Sequence, residues 1–244
     1  MSFWNSAIGA MIGFTLGGPI GALLGGVIGS RFGSRGKRSS FSTNQQHQVA
    51  FFTALFACLA KLAKADGIVS KEEIQAVDRF IKERFKFDSD QRKFAIEIFN
   101  HAKEDNSTYE DYAQQLSALL RNNKNALLVF YELLFELAMA DGVLHEKEEA
   151  LLRNTVHIFD IDPNIFENLK SQSFNSDLSP YSVLGVSEDM EFKEIKRIYR
   201  QKRKEFHPDA LISKGLPEEL IERAKEKFIE IQEAYEAIEK KRNQ

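Results

Sequence analysis

The side chains best equipped for chemistry are few. They are His207, Pro208 and Asp209 at the end of a strongly basic stretch, two acidic pairs (Asp66 with Glu73, Asp141 with Glu148) and a single thiol, Cys58. A histidine beside a carboxylate suits a general base or a metal ligand, but no cysteine or second histidine lies near His207 to complete either site. The acidic pairs suggest a divalent cation, yet their spacing lacks the alternating oxygen ligands of an EF-hand loop, and helix capping accounts for the same residues. Cys58 sits in an apolar helical pattern; alone, it rules out an internal disulfide and fits a reducing compartment. No nucleophile–base pairing, phosphate-binding glycine loop or metal-ligand cluster appears, so the expectation is a protein that is not an enzyme and needs no cofactor or metal.

The element that must position His207 is the stretch FKEIKRIYRQKRKEF, Phe192 to Phe206. Phe192, Ile195, Tyr199 and Phe206 recur at helical spacing on one side, and Lys193, Lys196, Arg197, Arg200, Arg203 and Lys204 fill the rest. Seven Lys/Arg stand against Glu194 and Glu205, a local charge of +5 in a chain whose net charge is −3. Pro208 cannot continue the helix and biases His207 away from helical geometry, so the helix is expected to end near Phe206. Pro217, Glu218 and Glu219 open a second helix with its own apolar stripe, Ala224, Phe228, Ile231, Tyr235 and Ile238. Packed antiparallel, the two helices would leave His207–Asp209 at an exposed tip beside the basic face. From Ser179 onward 14 Lys/Arg balance 14 Asp/Glu, which argues against nucleic acid as a partner.

The start of the chain is of a different character. Ser2 to Ser30 carries no charged side chain, and Gly9, Gly13, Gly17, Gly21, Gly25, Gly29 and Gly33 recur at every fourth residue. On a helix that repeat makes a glycine groove along which two backbones approach closely, a candidate surface for homodimer formation. As a helix, 28 residues would reach roughly 42 Å, against about 30 Å of hydrocarbon. The cations Arg31, Arg35, Lys37 and Arg38 all follow the segment, so the positive-inside rule places the N-terminus outside and the bulk of the chain in the cytoplasm, as a single-pass protein of the inner membrane. Gly17-Gly18-Pro19 leaves two geometries open, a kinked single span and a short hairpin that dips into the bilayer.

Residues 34–46 read as a basic polar linker. From residue 47 to 171 the chain is helical in pattern and acidic, with 15 Lys/Arg against 21 Asp/Glu. It contains a weak repeat, LAKADGIVSKEEIQAVDRFI from Leu62 and LAMADGVLHEKEEALLRNTV from Leu137. Gly67 and Gly142 suit helix C-termini that need positive φ. Ser70 with Glu73 forms a capping box, and His145 with Glu148 stands in the matching place. Phe51, Phe52, Phe56, Phe94, Phe99, Phe130, Tyr131 and Phe135 recur at helical spacing, as a core or as a partner groove between helices. Residues 172–178 read as a hinge. Alternating strand patterns are absent, so the fold is expected to be all-α, with residues 1–33 in the membrane, a helical domain over 47–171 and a helical hairpin over 179–244.

PYSVLGV at Pro180–Val186, the basic helix ending in His207–Asp209, and KFIEIQEAYEAI at Lys227–Ile238 together resemble a J domain, through which Hsp40 co-chaperones act on Hsp70. The insert LISKGLPEELIERAK at Leu211–Lys225 is similar to the DjlA family of membrane-anchored DnaJ-like proteins, and the repeat block resembles the TerB-like domain that precedes the J domain there. The resemblance implies that His207, Pro208 and Asp209 trigger ATP hydrolysis in the partner, DnaK in a bacterium. It also implies that Tyr199, Arg200 and Lys196 face that partner, together with Arg203 of the same helix. Lys202 departs from the family pattern, in which an apolar residue is common. The alternative is a membrane-bound stress or metal-response adaptor acting mainly through the TerB-like block.

Overall fold

The structure, a computed structural model, describes residues 17–32, 43–65, 67, 75, 77–79, 81–82, 85, 87–121, 123–139, 142–174, 179–207 and 218–242. Those residues are helical and turn, with no strand among them. The chain divides into two compact units, residues 1–161 and 162–244.

The first unit is built around α2 (Thr43–Ala63). From Val49 to Ala60 every residue is buried, Thr53 included. A helix apolar all round has to lie inside its domain. Accordingly α2 packs against α3 (Ser89–Glu104), α4 (Tyr109–Leu119), α5 (Lys124–Ala138) and α6 (Glu146–Phe159). Thr53 satisfies its hydroxyl by donating to the Val49 carbonyl, 2.7 Å away. All eight aromatic residues picked out by spacing in this block are buried, which makes them core rather than groove. Phe51 meets Phe130 edge-on at 5.0 Å, and Phe130 meets Phe159 at 5.7 Å.

The helices start where their capping residues dictate. Asp88 accepts from the backbone N–H groups of Asp90 and Gln91, and the Gln91 side chain accepts from the Asp88 N–H at 2.7 Å. Thr108 and Asp111 repeat that reciprocal arrangement at the start of α4. Gly67 and Gly142 both adopt positive φ, and each donates its N–H to the carbonyl three residues earlier, on Lys64 and Met139. The two copies of the repeat therefore turn in the same way. Asp105 ties three helices together: its carboxylate meets the Lys61 ammonium of α2 at 2.7 Å and accepts from the Tyr112 hydroxyl of α4.

A further helix, α1 (Gly18–Phe32), belongs to this unit. It packs against α2, α3 and α4, with Ile20, Leu23, Leu24 and Val27 buried. The sequence pattern leaves open a kinked span of about 28 residues and a short hairpin turning at Gly17-Gly18-Pro19. The described helix has 15 residues and is entered through Gly17 and Gly18, both at positive φ. Two consecutive left-handed glycines followed by a proline start a helix more readily than they continue one. Among the described residues, no helix is long and apolar enough to cross a membrane. Gly9 and Gly13 lie outside the described residues.

In the second unit, α7 (Ile165–Phe174) packs against the short α8 (Pro180–Leu184). Ser179 caps α8, with Pro180 in its first turn, and Gly185 ends it at φ 62°. A Cβ on Gly185 would stand 3.4 Å from the Asn168 amide nitrogen and 3.9 Å from the Lys202 ammonium. Two long helices follow, α9 (Phe192–Glu205) and α10 (Glu218–Arg242), which pack on each other and on α8.

Candidate functional site

The α9–α10 pair positions the chemistry-bearing residues. Ile195, Tyr199 and Phe206 of α9 are buried, as are Ala224, Ile231, Ala234, Tyr235 and Ile238 of α10. The join between the helices is aromatic. Tyr199 lies almost parallel to Tyr235, with centroids 4.0 Å apart, and Phe192, two turns earlier, also stacks on Tyr235 at 6.0 Å. The Tyr235 hydroxyl donates to Glu239 at 2.9 Å. Burial, with the Glu239 carboxylate beside it, pushes the Tyr235 phenol up to about 12. At the other edge Lys241 pairs with Glu188, and Arg242 donates to the Met190 carbonyl at 3.0 Å, which closes the loop between α8 and α9 onto the end of α10.

The helix ends where Pro208 requires: α9 stops at Glu205, Phe206 is its cap and His207 has left the helix. His207 is exposed, and its ring meets Phe228 of α10 edge-on at 5.6 Å. The Arg203 guanidinium lies over that same Phe228 ring, also 5.6 Å from its centroid. Phe228 is half-buried and so serves as a floor for both groups. Lys196, Arg200 and Arg203 fall four and three residues apart, which aligns them in one stripe along α9, and His207 follows just past its end. Arg197 is engaged by Glu194 at 3.2 Å, whereas no ion pair within the described residues involves Lys196, Arg200 or Arg203. The arrangement is a cationic face with an imidazole at its tip, suited to binding an acidic protein surface. Pro208 and Asp209 lie outside the described residues.

Not every residue singled out from the sequence sits on that face. Tyr199 is 9 % exposed and belongs to the helix–helix join through Tyr235. Lys202, in the place where an apolar residue is common, is half-buried near Gly185. A long aliphatic stem can fill an apolar position while its ammonium reaches water. Spacing put Phe228 in the apolar stripe but did not show that Arg203 and His207 share it, because the two groups meet its ring only across the helix pair. Of the acidic pairs, Glu148 accepts from the His145 backbone N–H at 3.0 Å, the capping role. Asp66, Glu73 and Asp141 lie outside the described residues. Gly17, Gly21, Gly25 and Gly29 are described on α1 or at its entry. Gly25 faces open space, whereas Gly21 is buried.

Comparison with known proteins matches three stretches of the chain to family models. The family described as tellurite resistance protein TerB matches residues 52–171, the DnaJ domain matches 179–244, and the co-chaperone DjlA transmembrane domain matches 1–39. The chain is 33 % identical over 234 residues to the co-chaperone protein DjlA of Photobacterium profundum, covering 86 % of this chain and 84 % of that one. It is 31 % identical to the DjlA of Shewanella oneidensis over 260 residues, 99 % of each chain. The DjlA of Photorhabdus laumondii is 29 % identical over 98 % of this chain and 92 % of its own. No solved structure matches. A TerB block, a DnaJ domain and a transmembrane segment in this order, with relatives matched over most of their length, place the chain in the DjlA family of membrane-anchored, DnaJ-like co-chaperones.

Proposed function

We propose that this chain stimulates ATP hydrolysis by an Hsp70 (DnaK in a bacterium) and recruits it to the inner membrane. The observation that carries the reading is the cationic stripe Lys196, Arg200 and Arg203 with His207 beyond its end, where Arg203 and His207 meet on Phe228. In this reading Lys196, Arg200 and Arg203 steer and orient an acidic Hsp70 surface, so docking weakens as salt rises. His207, with Pro208 and Asp209, delivers the trigger. Hydrolysis takes place in the partner, and the chain acts as a co-chaperone rather than as an enzyme, with no metal, cofactor or nucleic acid of its own. Tyr199 acts from behind this face, by holding α9 on α10 through Tyr235.

The N-terminal segment anchors the chain with its N-terminus outside and the bulk of the chain in the cytoplasm, following the cations that come after the glycine repeat. In the bilayer the repeat Gly9, Gly13, Gly17, Gly21, Gly25, Gly29 forms the contact of a homodimer. The test is single-turnover ATP hydrolysis by the cognate Hsp70, with the full chain added in detergent micelles, wild type beside His207→Gln. Stimulation by the wild type that is lost in the variant is the expected result. Equal rates with and without the wild-type chain would overturn the reading.

A further inference from the structure

The anchor segment has a second seat that its membrane role does not use. On α1, Ile20, Leu23, Leu24 and Val27 recur three, one and three residues apart and form one face, buried against α2, α3 and α4. The opposite face carries Ala22, Gly25 and Gly26, all exposed. A Cβ added at Gly25 or Gly26 would meet nothing within 4 Å. In a bilayer the division runs the other way: large apolar side chains face lipid and small residues face a helix partner. The same four side chains cannot be buried in protein and in lipid at once.

The docked seat is also specific. The Gln115 side chain of α4 reaches the entry of α1, where its amide nitrogen donates to the Gly17 carbonyl at 2.8 Å and its amide oxygen accepts from the Ile20 N–H at 2.8 Å. One side chain thus satisfies a donor that a helix start leaves open and adds a second bond to the Gly17 carbonyl, which also accepts from the Gly21 N–H at 3.0 Å. The clamp requires glycine beneath it, since a Cβ at Gly18 would stand 2.7 Å from the Gln115 oxygen. A 15-residue helix is about 22 Å long, short of the roughly 30 Å hydrocarbon layer. To span it, the helix must extend back through Gly17 and Gly18, which requires both to leave positive φ and Gln115 to let go.

We propose that the anchor segment exchanges between two mutually exclusive seats, the bilayer and the groove formed by α2, α3 and α4 of its own chain, and that Gln115 is the residue that holds the groove-docked seat. The inference rests on the anchoring role of the segment. It adds that the membrane-released chain covers its own anchor instead of exposing it.

The test uses the full chain with vesicles of phosphatidylethanolamine and phosphatidylglycerol, read by flotation. In one variant, Gly18→Cys with Gln115→Cys, oxidation is expected to give a disulfide within one chain and to lower the floated fraction several-fold relative to the reduced sample. Cys58 is fully buried and does not compete. Gly25→Cys with Gln115→Cys is the control that should not cross-link. In a second variant that needs no strained cysteine, Gln115→Ala, the loss of two neutral hydrogen bonds should shift the docked-to-inserted ratio by roughly tenfold toward the vesicles. It should also speed amide exchange at Ile20 in the vesicle-free chain. Failure of the reduced chain to float would overturn the anchoring role itself. With flotation intact, a disulfide between two chains, no disulfide together with unchanged exchange in Gln115→Ala, or a locked chain that floats as well as the reduced one would each overturn the exchange.

Discussion

Replacing Tyr199 by alanine separates two roles that a surface reading of the basic helix merges. Tyr199 is 9 % exposed and stacked on Tyr235 at 4.0 Å, with Phe192 on the same tyrosine at 6.0 Å. Truncating a buried aromatic side chain costs about 3–5 kcal/mol, and a stacked pair adds about 0.5–1.5 kcal/mol beyond its area. Because an edge of the ring reaches water, the lower end applies, about 3 kcal/mol for Tyr199→Ala. For a unit of this size that is a fall of roughly 12–24 °C in the unfolding midpoint. Amides of α9 and α10 that open only with the whole unit should exchange about 100-fold faster. Tyr199→Phe keeps the stacked ring and should cost less than about 1 kcal/mol. The assay is hydrogen exchange of the full chain, read on α9 and α10 peptides beside Hsp70 stimulation. Tyr199→Ala with native protection of both helices and stimulation abolished would refute the reasoning, because the ring would then be acting on the partner rather than on Tyr235.

Two other perturbations test the first unit. Asp105→Ala removes the carboxylate that holds the Lys61 ammonium at 2.7 Å and accepts from Tyr112. It should destabilise residues 43–161 by about 2–3 kcal/mol, since a mostly buried ammonium loses its carboxylate, keeping only the Asp105 backbone carbonyl at 3.0 Å, and a hydroxyl loses an acceptor; a shift in urea midpoint worth less than about 0.5 kcal/mol would contradict this account. The Arg92 guanidinium hydrogen-bonded to Asp78 holds that carboxyl below its usual range. A carboxyl depressed in the folded state adds stability above its unfolded value, near pH 4, and loses it as pH falls through the folded value. The unit should therefore lose stability below about pH 4, and Arg92→Ala should flatten that acid limb of a midpoint-against-pH curve. An unchanged limb would remove Asp78 from the acid response.

Much of the fold was legible in the sequence because its signals are local. Pro208 ends α9, Ser179 and Pro180 start α8, and Gly67 and Gly142 take the positive φ that helix ends require. The all-helical class and the basic face of α9 opposite Ile195 and Tyr199 follow from spacing, since a helix has one period. Three motifs in order within the last 66 residues likewise pointed to the DnaJ domain.

What spacing cannot supply is the partner of each face. Helical periodicity made Phe51, Phe130 and Tyr131 apolar-face residues, but core and groove have the same period; only the packing of α3 to α6 around α2 made them core. Spacing put Tyr199 and Tyr235 in the apolar stripes of two helices, but only the packed pair laid one ring on the other across 36 residues of chain. Phe228 became the floor under Arg203 and His207 in the same way. The glycine repeat shows the limit most clearly. Its composition satisfies lipid and a protein groove alike, because both reward apolar surface and a backbone with its hydrogen bonds satisfied. Only the tertiary structure, through Gln115 almost a hundred residues away, gave the segment from Gly18 onward a place among the helices of its own chain.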